Sequence, residues 1–366
     1  MLHTRNEELL KQYYNRYGGF WIYPNMLDYC YLVNPYFNRS KIVDEMQENF
    51  RVLLSEYPSG MGVNSKLASE CWGIKQEYII PGNGAAELIK AFMEGLDCKV
   101  GVVRPTFEEY PNRLSDEQVI TFIPQNDEFR YGAEDMIEFF SKNPVEALLL
   151  INPDNPSGNF IPVEGIHKLA AWCEGKGIQF ILDESFVDFS TDFVNNSFVD
   201  NKLLEKYPHM CVIKSISKSY GVPGLRLGIL CSADIALIAR MKKQVSIWNI
   251  NSFAQFFMQI FPRYREDYHL ACEQFIQARQ DFEIELKKIP FIKVMPSQAN
   301  YFFIEVLSPY KPLDLCAILL ERYNILASAC LAKKGIEPNR YMRIAVRNHG
   351  DNEKFISALR DLAEIK

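Results

Sequence analysis

Six short apolar runs, most followed by a segment with helical spacing, constrain this chain more than any other feature. The runs are CKVGVV (98–103), VITFIP (119–124), EALLLI (146–151), IQFILD (178–183), MCVIKS (210–215) and RLGILC (226–231). Between them lie AAELIKAFMEGL, AEDMIEFFSK and VEGIHKLAAWCEGKG, the last ending on a glycine suited to a helix C-cap. Strands alternating with helices predict an α/β fold, with a mixed, mainly parallel sheet flanked by helices. Chemistry on such a sheet gathers at the carboxyl ends of its strands.

The rhythm changes after about residue 262. A long helical stretch, PRYREDYHLACEQFIQARQDFEIELKKI, precedes strand-like FIKVMP and NYFFIEV. Helix-like LDLCAILLERYN, strand-like NILASA and YMRIAV, and a final helix DNEKFISALRDLAEI complete the chain. This reads as a smaller α+β domain. The first 45 residues lack the strand–helix rhythm and join it by elimination. The expected division is therefore 46–261 for the large domain, with 1–45 and 262–366 forming the small domain and an N-terminal arm. A length of 366 residues agrees with about two domains.

Composition excludes several classes. Acidic residues outnumber basic ones 46 to 40, for a net charge of −6. That balance gives no electrostatic footprint for nucleic acid or an anionic membrane. The nine cysteines form no CxxC pair and the five histidines are scattered, so neither a disulfide framework nor a metal site is expected. The amino terminus is charged where a signal peptide would be apolar, and no apolar run is long enough to span a bilayer. The expected compartment is the cytoplasm.

The strand ends carry the informative residues. INPDNPSG (151–158), DESF (183–186) and SISKSYGVPGLRLG (215–228) follow three runs, and Gly84-Ala85-Ala86-Glu87 opens a helix just after a further apolar strand, YII. Singly, each has an ordinary reading as turn, cap or solvated loop. In combination they meet one chemical need. Amides at Gly84, Ala85 and Ala86 on a helix N-terminus form a phosphate seat, to which Ser215, Ser217 and Arg226 add donors. Asp183 can keep a pyridine nitrogen protonated, and Asn155 can donate to a phenolic oxygen. Lys218 can form a Schiff base once deprotonated. These are the requirements of pyridoxal 5′-phosphate.

With NPDNPSG, LDESFVDF, SISKSYGVPGLRLG, ANYFFI and RYMRIAVR in order, the chain resembles the fold-type I enzymes of the class I/II aminotransferase family. Within it, the likeness runs to histidinol-phosphate aminotransferases and threonine-phosphate decarboxylases. The resemblance implies pyridoxal 5′-phosphate as cofactor, Lys218 as the Schiff-base lysine, Asp183 on the pyridinium and Asn155 on the ring oxygen. It implies Phe107 stacked on the ring, and Tyr57 reaching the cofactor phosphate of a neighbouring subunit in a homodimer with shared active sites. It implies Arg343 gripping the α-carboxylate of a small amino substrate, with Arg347 and Asn34 also on the substrate. Phe186 stands where many relatives carry a tyrosine that donates to the ring oxygen.

The same residues serve two reactions. Breaking Cα–H, with Lys218 moving the proton, leads to transamination; breaking Cα–COO⁻ is decarboxylation. Transamination is the first expectation, as the commoner activity of the superfamily. Decarboxylation of a phosphothreonine- or phosphoserine-like amino acid is the alternative, favoured by Phe186 and Arg347. Against it, the decarboxylase pattern has HGGN near the amino terminus where this chain has Tyr17-Gly18-Gly19-Phe20. It also has an arginine where this chain has Ala327. Arg16, Arg322, Lys333, Lys334 and Arg347 are the cations that remain to meet a substrate phosphate. A silent scaffold is disfavoured by the retention of Lys218, Asp183, Asn155 and Arg226 together. A nucleotide-binding loop is disfavoured by the absence of GxGxxG and GxxxxGK[ST].

Overall fold

The computed structural model describes residues 2–364, apart from residues 32, 38, 39 and 332. A two-residue strand, β1 (Leu27–Asp28), follows the N-terminal helix Leu2–Tyr14. Seven strands then form one sheet: β2 (Ile79–Asn83), β3 (Val100–Val103), β4 (Val119–Phe122), β5 (Ala147–Ile151), β6 (Gln179–Asp183), β7 (Met210–Ser215) and β8 (Leu227–Cys231). Their spatial order is β2-β8-β7-β6-β5-β3-β4, and only β8 runs against its neighbours. The mixed, mainly parallel sheet expected from the alternation is present. The central strands are mostly apolar because both faces are covered, with Asp183 and Lys214 as the charged exceptions. On β5, Leu148 and Leu150 enter one core while Ala147, Leu149 and Ile151 enter the core on the opposite face.

A second sheet is antiparallel, ordered β12-β13-β10-β9, from β9 (Ile292–Val294), β10 (Tyr301–Val306), β12 (Ser328–Ala329) and β13 (Tyr341–Ala345). Its core takes Leu10, Tyr29 and Cys30 from the amino-terminal segment together with residues from 275 to 362. Strand β1 pairs in parallel with β11 (Ile325–Leu326), which ties the two chain ends together. Two segments cross the expected divisions. Helix Ser40–Ser55 runs through residue 45 and places Ile42 in the core of the large sheet. The long helix begins at Arg265, after a 3-10 turn over Phe261–Tyr264, and belongs to both cores. Its Tyr268, Ala271 and Cys272 pack on the large-sheet side, and its Phe275, Phe282 and Leu286 pack with the second sheet.

No helix among the described residues is long and apolar enough to cross a membrane. All nine cysteines are free thiols.

Beneath the large sheet lies a buried charge cluster that the apolar pattern of the strands does not announce. Lys214, on β7, donates from Nζ to Asp188 Oδ1 at 2.6 Å, and both side chains are buried. The other carboxylate oxygen accepts from Ser219 Oγ at 2.7 Å. Nearby Glu184 accepts from Ser197 Oγ at 2.7 Å and from the Phe198 amide, and burial pushes its carboxyl up to about 7. An ion pair without water depends on both partners. Asp188→Ala, which removes the hydrogen-bonded partner of the buried Lys214 ammonium, is therefore expected to lower unfolding stability by about 3–5 kcal/mol. Urea denaturation of this variant beside the double replacement Lys214→Met, Asp188→Asn checks it, since the double variant loses much less.

Candidate functional site

Strand register assembles the site. Ile151 pairs with Asp183, Asp183 with Ile213, Ser215 with Gly228, and Leu227 with Asn83. The ends of β5, β6, β7 and β2 and the start of β8 thus lie along one edge. The segments carrying Asn155, Asp183, Ser215–Lys218, Arg226 and Gly84 are brought together there.

Lys218 sits just past β7 on a fixed backbone. Its carbonyl accepts from the amides of Asn34 at 2.8 Å and Gly221 at 3.1 Å, while Ser219 beside it is anchored on Asp188. The ammonium lies 4.1 Å from the centre of the Phe186 ring. Burial pulls its pKa down to about 8; Asp183 opposes this, and the charges of Arg343 and Arg226 add to it. A lysine held this way is far more often neutral near physiological pH than a solvated one, as a nucleophilic amine must be.

Asp183 is buried, with Oδ1 accepting from the Ser185 amide at 2.8 Å and Oδ2 from the Tyr110 hydroxyl at 2.7 Å. Tyr110 was not among the residues singled out from sequence. Its only signal is its place three residues after Phe107, and a buried phenol far along the chain has no local pattern to announce its partner. Phe107 stands edge-on to Tyr110 with centroids 6.5 Å apart, and is partly exposed beside the Asp183 pair. Asn155 is buried, and its Oδ1 accepts from Arg343 Nη1 at 3.1 Å, leaving the amide nitrogen to donate. Arg343 also donates from Nη2 to the Cys30 carbonyl at 2.8 Å and lies 5.3 Å from the Tyr301 ring centre. Tyr301 in turn meets the Phe186 ring at 5.1 Å.

The third part is a cradle for an anion. Helix Ala85–Met93 begins beside β8, and its first-turn amides have no acceptor within the helix. Gly84 has φ +74°, and a Cβ there would lie 2.4 Å from Arg226 Nη2. A Cβ on Gly228 would lie 2.4 Å from the Ala85 nitrogen. Two glycines thus let strand, helix terminus and guanidinium approach one another closely. Ser217 Oγ is buried without a hydrogen-bond partner, and the Ser215 amide is held by Ser185 Oγ at 3.0 Å. Helix amides, an orphaned hydroxyl and an arginine fit the phosphate of pyridoxal 5′-phosphate. Asp183 and Lys218 fit its ring nitrogen and aldehyde.

Three further expected residues have partners of their own. Tyr57 is 80% exposed, its ring tilted against that of Trp248 with centroids 4.7 Å apart. Arg347 is engaged within the chain, donating to Asp351 Oδ2 at 2.9 Å and the Asp28 carbonyl at 2.8 Å. Asn34 is fully buried, its Oδ1 accepting from the Tyr36 amide at 2.9 Å and its amide group facing Cys272. Both side chains are committed to holding the walls, and Asn34 meets Lys218 through its backbone. Ala327 is buried, with its carbonyl taken by the Tyr14 hydroxyl at 2.7 Å. Of the other cations, Arg16 lies on Tyr23, Lys334 faces Asp116, Arg322 is exposed, and Lys333 reaches the Thr106 carbonyl at 2.7 Å.

Comparison with known proteins gives the family and the fold. The family described as aminotransferase class I and II matches residues 63–359. An L-serine phosphate decarboxylase of Sulfurospirillum multivorans is 29% identical across 92% of this chain and 88% of that protein. The solved structure of a decarboxylase from Sulfurospirillum multivorans superposes with a TM-score of 0.87 at 26% identity, covering 99% of this chain and 98% of that one. A CMP-5′-(3-aminopropyl)phosphonate synthase of Streptomyces rubellomurinus is 29% identical over 94% of this chain but only 54% of its own length. This chain spans about half the length of the first two curated relatives it matches. Threonine-phosphate decarboxylases and histidinol-phosphate aminotransferases are also among the proteins it is similar to.

The charges around Lys218 give a test. Labelling of Lys218 by an amine-directed acylating reagent, read by peptide mass spectrometry on cofactor-free protein, is expected to rise with pH through a midpoint near 8. Arg343→Met removes a repelling cation and moves the midpoint up; Asp183→Asn removes an attracting anion and moves it down.

Proposed function

Since the chain belongs to the class I and II aminotransferase family, whose members depend on pyridoxal 5′-phosphate, we propose that it decarboxylates a phosphorylated amino acid of the phosphoserine type. The carrying observation is the nearly end-to-end match with the L-serine phosphate decarboxylase of Sulfurospirillum multivorans. Transamination, the first expectation from sequence, has the weaker support from these comparisons.

Bound pyridoxal 5′-phosphate supplies an electron sink for the Cα bond lying perpendicular to its ring. The chain supplies the rest. Gly84, Ala85, Ala86, Ser215, Ser217 and Arg226 hold the cofactor phosphate, and Phe107 covers a ring face. Asp183, oriented by Tyr110 and the Ser185 amide, keeps the ring nitrogen protonated. Asn155 donates to the ring oxygen while Arg343 holds its own Oδ1. Arg343 receives an anionic end of the substrate. Loss of carbon dioxide leaves Cα one proton short, and the Lys218 ammonium returns it, so the overall reaction consumes one proton.

The outcome is tested by incubating the protein, cofactor and O-phospho-L-serine and measuring carbon dioxide and keto acid together. Carbon dioxide in step with the amine product supports the reading, and keto acid without carbon dioxide overturns it.

We also infer a homodimer in which Tyr57 serves the partner's site. Supporting this, Tyr57 is exposed and lies on Trp248, and Phe50, Val52, Leu54 and Ile247 are likewise exposed. Lys218→Ala and Tyr57→Ala variants are each expected to lose most activity. Co-expressed, they recover about a quarter of the wild-type value, because half of randomly formed dimers carry one intact site of two. No recovery places Tyr57 in its own chain's site or outside any site.

A further inference from the structure

Arg343, whose charge acts on Lys218, and Lys333, on which the charge of Arg343 acts, have no carboxylate within ion-pair distance among the described residues. Arg343 is met by two neutral acceptors, Asn155 Oδ1 and the Cys30 carbonyl. Lys333 donates to one neutral acceptor, the Thr106 carbonyl at 2.7 Å, next to Phe107. Its loop is pressed onto that segment. Gly335, at φ +91°, packs so tightly that a Cβ there would lie 3.0 Å from Arg104 Cβ. The loop leaves β12, whose Ser328 is the register partner of Arg343. Two acids lie nearby: Glu108 pairs with Arg104 at 3.2 Å through one oxygen, and Asp154 accepts from the Ser157 hydroxyl, so both favour the Lys333 charge from a distance without pairing with it. Burial lowers the pKa of Lys333, and the field of Arg343 adds to that lowering.

A partly buried ammonium and a nearby guanidinium, neither in direct ion-pair contact with a carboxylate, leave a place for a ligand's negative charge. Glu108 and Asp154 act on Lys333, and Asp28 on Arg343, only at longer range. One α-carboxylate answers one of these cations. We propose that Lys333, acting beside Arg343, seats a tetrahedral phosphorus oxyanion on the substrate's side chain and sets the preference for phosphorylated over plain amino acids. The identity of the substrate rests on the decarboxylase reading; the anion seat rests on two cations whose hydrogen-bond acceptors are all neutral. Fixing the side chain at Lys333 also limits the rotations about Cα, and so helps select which bond stands across the ring.

The test titrates holoenzyme with three ligands: O-phospho-L-serine, its carbon–phosphorus isostere, and L-serine. Binding is followed by the visible absorbance of the cofactor. Lys333→Met is expected to weaken the phosphorus ligands by about 10- to 100-fold while changing L-serine less than about 2-fold. Lys333→Arg recovers most of the loss, and Lys333→Gln serves as the neutral variant should the methionine fail to fold. Equal weakening of all three ligands, or none, overturns the proposal, because a loop tether would act on every substrate alike. Selective loss for the ester alone or the isostere alone supports the seat and identifies the phosphorus source. Carbon dioxide release is measured in parallel. Lys333-dependent binding of O-phospho-L-serine without carbon dioxide overturns the decarboxylase reading and upholds the seat.

Discussion

The hydrogen-bonded register of β5, β6, β7 and β8 is the constraint on which the rest depends. Each strand end carries one chemical part, and the parts are far apart in sequence. Pairing Ile151 with Asp183, Asp183 with Ile213 and Ser215 with Gly228 aligns them, and contacts between the loops, such as Ser219 with Asp188, then hold them in place. A slip of one residue on β6 would turn Asp183 to the opposite face. The apolar residues prevent this, because both faces are buried and each residue is committed to its own core.

Electrostatics refine what the register places. The chain is acidic overall, yet Lys218, Arg226, Arg343 and Lys333 collect in one region. Net charge describes the surface and says nothing of such a cluster. Burial, Arg343 and Arg226 depress Lys218 while Asp183 opposes them, so the amine is set by both signs of charge. The Lys214–Asp188 pair below performs a different task. It fixes Ser219 and through it the backbone next to Lys218.

Much of this was legible in sequence because it rests on local pattern. Apolar runs gave the strands of the large sheet, and Gly177 ended its helix in the left-handed conformation as expected. The short motifs marked the strand ends, and the cradle at Gly84 and Arg226 follows from residues that were named. What sequence missed depends on distance in the chain. Tyr110 reaches Asp183 across 73 residues, and the Tyr14 hydroxyl reaches the Ala327 carbonyl across 313. For Arg347 and Asn34 the pattern gave no sign of the partners they have within the chain, Asp351 for the arginine and Cys272 for the asparagine. The helix through residue 45 shows the same limit. Its amphipathic face gives no sign of which core it serves.

Helix Arg265–Leu286 has a consequence for how the molecule can move. It is about 33 Å long at 1.5 Å per residue, and a single rigid rod anchors both hydrophobic cores. The half bearing Arg343 therefore cannot drift from the half bearing Lys218 as if on a flexible tether. The rod leaves one soft direction, a pivot or bend along its length. Any displacement of one core against the other must therefore bend or pivot this helix, which resists it.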